Sequence, residues 1–149
     1  MRDDFCAVTM MRDAAALLQS DRITGGDLAE MYLGYYGAME FTDRSEPDDG
    51  QATWDAAEPS RELMARLVAE CTAFAHDAYP WLAPALETDS VTWSQVGHDF
   101  HLSRNGHGAG FFDRPGMYGQ QDVCDLLQRL AESYGPRDSY VGDDGRVYW

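Results

Sequence analysis

The residues best equipped for chemistry crowd into one stretch, GHDFHLSRNGHGAGFFDR at residues 97–114. It holds His98, His101 and His107, three of the four histidines in the chain, together with Asp99, Ser103, Arg104, Asn105, Asp113 and Arg114. Three chemistries suit these types. A metal centre needs two or three imidazoles or carboxylates converging on one point. A nucleophilic site needs a hydroxyl or thiol beside a base. A hydrolase of the paired-carboxylate kind needs two acids flanking the scissile bond, for which Asp99 and Asp113 are the available pair.

Which of these is open depends on the element beneath. Asn105-Gly106 is a strong signal for a two-residue hairpin, and apolar residues alternate on both flanks. With that loop, Phe100 faces Phe111 and His98 faces Asp113. His98, Phe100, Leu102, Ala109, Phe111 and Asp113 then share one face, and Asp99, His101, Ser103 and Phe112 share the other. The register separates His98 from His101, so no metal ligand and no cofactor is assigned; only on a helix would their spacing serve a metal. Ser103 lacks a G-x-S-x-G elbow, and GHGAG lacks the lysine of a phosphate-binding loop. The economical reading is structural. His98, Arg104, Asn105, Gly106, His107, Asp113 and Arg114 form a motif that holds the hairpin, with no catalytic residue assigned. The alternative is a small hydrolytic or metal-assisted enzyme in which His98, Asp99 and Asp113 are catalytic.

The elements around this block read as helices. Residues 13–19 (DAAALLQ) form a short helical segment. Residues 28–41 follow, with Leu28, Met31, Tyr32, Tyr35 and Met39 at three- and four-residue steps. Gly34 and Gly37 weaken that helix or permit close packing. Ser60 predicts the N-cap of an amphipathic helix through residue 79, with Pro80 and Pro84 bracketing a turn. Val123, Leu126, Leu127, Leu130 and Tyr134 mark a helix over 120–134, stopped by Gly135-Pro136. The tail SYVGDDGRVYW reads as two short strands around an Asp144-Gly145 turn. The expected fold class is α+β within one domain over 1–149. Residues 1–89 are mainly helical. Beyond them lies a small antiparallel sheet, made of the hairpin and the C-terminal strands, with a helix packed on it.

Charge narrows the partners. The 149 residues carry 26 acids against 11 basic residues, all arginine, for a formal net charge of −15. Such a chain is repelled by phosphate backbones and anionic membranes, which disfavours direct nucleic-acid or membrane binding. No apolar run approaches the roughly 18–20 residues of a membrane span. Cys6, Cys71 and Cys124 lack metal-site spacing and disulfide pairing logic. The opening Met1-Arg-Asp-Asp does not resemble an export signal, so a cytoplasmic location in a bacterial host is expected. Acids concentrate in residues 40–59, read as a loop, where Glu40, Asp43, Glu46, Asp48, Asp49, Asp55 and Glu58 accompany Trp54 as the apolar anchor. These eight residues are the expected partner-binding surface.

The block at 97–114, together with YVGDDGRVY at 140–148, resembles a family of small proteins encoded by bacteriophages and other mobile elements. That family carries a GHDFxLxRNGHGAGFxDR block and a C-terminal YVGDDG segment. A weaker likeness covers residues 36–74, including Glu70, Cys71 and Phe74. His101 and Phe112 stand where the family often has Trp. The resemblance implies a phage or plasmid accessory protein. Context suggests an anti-defence role of the anti-CRISPR or anti-restriction type. Joined to the charge, the expectation is a non-enzymatic inhibitor whose DNA-mimic-like surface occupies the basic nucleic-acid-binding groove of a host protein. A dimeric regulatory protein, a homodimer through the aromatic hairpin face, is the further alternative.

Overall fold

The computed structural model describes residues 22–43 and 57–149. The expected helix at 13–19, Cys6, and the loop residues Glu46, Asp48, Asp49, Trp54 and Asp55 lie outside the described residues. The chain is α+β. Helix α1 (Gly25–Asp43) precedes strand β1 (Glu58–Pro59) and the long helix α2 (Arg61–Glu87). Helix α3 (Trp93–Arg104), a 3-10 turn (Phe111–Asp113) and helix α4 (Gln121–Glu132) follow, then strands β2 (Tyr140–Val141) and β3 (Arg146–Tyr148).

Helix α1 forms where its periodicity predicts, burying Met31, Tyr35, Ala38 and Met39. It extends to Asp43, so Glu40 and Asp43 sit on a helix rather than in an acidic loop. Ser60 caps α2: its Oγ accepts from the Leu63 amide at 3.0 Å. Contrary to expectation, α2 runs through Pro80 and Pro84. Buried Tyr79, Leu82 and Ala85 hold that last stretch in the core. Thr88 closes it by donating its hydroxyl to the Pro84 carbonyl at 2.9 Å.

The principal correction concerns the expected hairpin, which is absent: residues 93–104 are helix α3. Thr92 is its N-cap, accepting from the Gln95 amide at 3.2 Å. Asn105-Gly106 ends the helix instead of turning a hairpin. Gly106 adopts φ +68°, its amide donates to Ser103 O at 3.3 Å, and the His107 amide donates to Leu102 O at 3.0 Å. That is a Schellman stop, which needs a left-handed residue just as the hairpin does. The same dipeptide therefore serves either structure.

The sheet is correspondingly different. Among the described residues it is three-stranded and mixed, in the order β1-β3-β2. β3 pairs parallel with β1 (Glu58↔Arg146) and antiparallel with β2 (Tyr140↔Tyr148). The C-terminal strands thus join Glu58–Pro59 and not a hairpin at 97–113.

Helices α1 and α3 cross at backbone contact. A Cβ on Gly34 would stand 2.0 Å from Ser94 O, and one on Gly97 would stand 2.0 Å from Met31 O. Gly37 faces open space. The aromatic centre lies beneath this crossing, where Phe74 stacks on Phe100 with centroids 4.2 Å apart and Tyr35 meets Phe100 edge-on. Cys71 and Cys124 are buried free thiols of this core, and burial pushes the Cys71 thiol up.

Candidate functional site

Folding 97–104 as a helix turns its polar side chains into the core. Asp99, His101, Ser103 and Arg104 are all buried. Each finds partners within the protein, as burial of polar groups demands.

Asp99 is fully enclosed. It accepts from both sides: Tyr118 Oη at 2.5 Å, Arg114 Nε at 2.8 Å and Gln95 Nε2 at 3.0 Å, with His98 Nδ1 at 3.4 Å. Burial alone would raise the Asp99 pKa. Hydrogen bonds from His98, Gln95 and Tyr118, with the Arg114 charge, outweigh it and hold the carboxyl below its ordinary value. Desolvation and the adjacent carboxylate push Tyr118 well up.

Arg104 crosses the interior on the other side. Its guanidinium donates to Glu70 Oε1 at 2.6 Å, Gly135 O at 2.8 Å and Tyr134 O at 3.1 Å. It also lies over the Phe100 ring, 4.9 Å from the centroid. Ser103 Oγ accepts from the Phe111 amide at 3.0 Å. Gly110 is required there, because a Cβ would fall 2.1 Å from that hydroxyl.

His101 joins three segments. Its Nε2 lies 2.7 Å from Thr42 Oγ1 at the end of α1, and its Nδ1 lies 3.1 Å from Asn105 Nδ2. The Asn105 amide is oriented by two other bonds: Nδ2 donates to His101 O at 2.9 Å, and Oδ1 accepts from the Arg137 amide at 2.7 Å. Nδ1 must therefore be the acceptor and Nε2 the protonated donor. The Thr42 hydroxyl donates to Asp43 Oδ1 at 3.1 Å, and Asp43 Oδ2 accepts from the Ser139 hydroxyl. Burial, followed by the charges of His107, His98 and Arg104, lowers the His101 pKa to about 3. A neutral imidazole whose Nε2 already carries a proton cannot take one from Thr42, so this chain is no nucleophile-activating triad.

The block residues thus divide. Asp99, His101, Ser103 and Arg104 are buried, each with partners of its own; half-buried Arg114 reaches Asp99, and Asn105 supports His101. His98 reaches Asp99 only from a half-exposed position. Asp113 is exposed and takes no part in the Asp99 network, so neither the expected facing of His98 and Asp113 nor the Asp99–Asp113 pair is formed. Phe100 and Phe111 are core residues, fully buried, rather than an aromatic docking face. Glu58 is exposed, while Glu40 and Asp43 are half-buried. The sequence reading did not single out Gln95, Tyr118 or Thr42. The signal for the first was present: Thr92-x-x-Gln95 is a capping-box pattern, and Gln95 and Asp99 stand one helical turn apart.

Beside His98 a shallow open groove of about 310 Å³ runs between α1 and the start of α3, with Leu33, Gly34 and Gly37 on one wall. Among the described residues no helix is long and apolar enough to cross a membrane. No family model, curated protein or solved structure matches the chain.

Proposed function

We propose that this chain is an acidic accessory protein of the phage or mobile-element kind that works by binding a host protein. It occupies a basic nucleic-acid-binding groove, in the manner of an anti-CRISPR or anti-restriction protein, in the bacterial cytoplasm. The carrying observation is how the charge is distributed. Buried Arg104 pairs with half-buried Glu70, and half-buried Arg114 pairs with buried Asp99. The formal net charge of −15 therefore falls to the remaining groups. Glu58, Glu62, Glu87, Asp122, Asp125 and Asp138 are among the exposed acids. An acidic surface steers association with a basic partner and makes the complex sensitive to salt. The enzyme reading loses support because Asp99 is sealed by four partners and Asp113 stands apart from it.

The test is affinity capture from bacterial lysate with the full chain, at low and raised salt, followed by mass spectrometry. The expected result is a salt-sensitive complex with a nucleic-acid-binding protein, lost when Asp48, Asp49 and Asp55 are each replaced by Arg. Retention of every partner by that triple variant removes the acidic segment 40–59 as the contact, and capture of no salt-sensitive nucleic-acid-binding partner removes this reading.

A further inference from the structure

The end of α1 meets the end of α3 at a cluster that shares only Asp43 with the expected partner-binding surface. One ligand-type atom from each of Asp43, His101 and His107 lies within 4.8 Å of the others. Asp43 is the last residue of α1, His101 sits one turn before the end of α3, and His107 follows the Schellman stop. The two imidazole rings are 5.5 Å apart and tilted by 36°. We propose that Asp43, His101 and His107 form a site for a divalent transition-metal ion of the zinc class.

The donor set chooses the ion. Two imidazole nitrogens and one carboxylate oxygen suit zinc and its neighbours, whereas calcium and magnesium favour all-oxygen shells. Three protein ligands leave a further position for water, as in open zinc sites. With ligand bonds of roughly 2.0–2.1 Å, tetrahedral donors stand about 3.3 Å apart, so the cluster must contract by up to about 1.5 Å. His107 can supply that movement. It is exposed, its ring makes no hydrogen bond among the described residues, and its neighbours Gly106 and Gly108 both have positive φ.

His101 must exchange one present contact for the metal. Coordination through Nδ1 displaces the 3.1 Å bond from Asn105. Asn105 keeps its bonds to His101 O and the Arg137 amide. Nε2–H would then stay on Thr42, which in turn bonds Asp43. This is the outer hydrogen bond that orients a metal-binding imidazole. The inference is independent of the charge-driven function, and either can fail alone.

The experiment titrates the full chain, stripped with EDTA, with zinc chloride by calorimetry, and with cobalt(II) by visible absorption. One equivalent should bind with a micromolar or tighter Kd, and magnesium in excess should not compete. His107→Ala and Asp43→Asn should each weaken zinc binding by more than about tenfold. His98→Ala should leave it unchanged. His107 is exposed, so its variant should keep the native circular dichroism even if Asp43→Asn does not. Absence of a stoichiometric site, or zinc binding undiminished in His107→Ala, overturns the proposal. The latter result identifies adventitious binding to the acidic surface.

Discussion

Asn105 holds His101 in a single tautomer. The amide nitrogen of Asn105 faces His101 Nδ1 at 3.1 Å. Its orientation is fixed independently through His101 O and the Arg137 amide. In metal-free protein, heteronuclear NMR of the imidazole should show His101 protonated at Nε2 alone. Asn105→Asp replaces a donor by an acceptor and should shift the proton to Nδ1, so that Thr42 must turn its hydroxyl to Nε2 and give up its bond to Asp43. Loss of buried hydrogen bonds of this kind costs about 1–3 kcal/mol. A spectrum with both tautomers populated in the unaltered chain refutes the arrangement.

The same residue makes the fold sensitive to acid. The His101 pKa falls to about 3 in the folded state, against roughly 6.5 when unfolded. Between these values the unfolded chain binds a proton that the folded chain refuses, so stability rises with pH across that window. The contribution is complete above about pH 6.5 and is lost as pH falls towards 3, with a slope of at most about 1.4 kcal/mol per pH unit. Urea midpoints measured in EDTA between pH 7 and pH 5 should fall in the native chain. They should fall less in His101→Gln, and equal falls contradict the assignment.

Two glycines on α1 should respond in opposite senses to alanine. A Cβ at Gly34 meets Ser94 O at 2.0 Å, whereas one at Gly37 meets nothing within 4 Å. Gly34→Ala forces α1 away from α3 and should destabilise by roughly 1–3 kcal/mol. Gly37→Ala should stabilise by about 0.5–1 kcal/mol through helix propensity. Denaturant unfolding of the two variants decides. The sequence places both glycines on one helix, but only the crossing with Ser94 distinguishes them.

What could be read beforehand follows from range. Ser60 and the stripe of Leu63, Leu67 and Cys71 announce α2 locally. Met31, Tyr35 and Met39 do the same for α1. The block at 97–114 points locally to the wrong element because Asn105-Gly106 satisfies two structures equally, and because Phe100 and Leu102 alternate like a strand. Over a longer window, Trp93, Val96, Phe100 and Arg104 follow helical steps, which the Thr92–Gln95 cap supports. The contacts of His101 with Thr42, and of Arg104 with Glu70, join residues far apart in the chain. They arise from helix crossings that no local pattern encodes.

Removing Glu70 should be more damaging than removing Arg137. Arg104 is buried, and Glu70 is its carboxylate partner at 2.6 Å; Arg137 touches the same oxygen at 3.5 Å from an exposed position. Glu70→Ala strands a buried guanidinium and should cost roughly 3–5 kcal/mol. Arg137→Ala loses a surface pair worth about 1 kcal/mol or less, so thermal unfolding should rank the two variants far apart.

The block at 97–114 sends Asp99, Ser103 and Arg104 into the interior and, in the proposed function, leaves protein-partner binding to the acidic exterior. Its two aspartates test this most directly, in one equilibrium unfolding comparison at neutral pH. Asp99 accepts from Tyr118, Arg114 and Gln95, while Asp113 is exposed. Asp99→Asn should therefore destabilise by about 2 kcal/mol or more, and Asp113→Asn should stay within about 0.5 kcal/mol of the native chain. Equal effects at the two positions, or a neutral Asp99→Asn, would contradict the account.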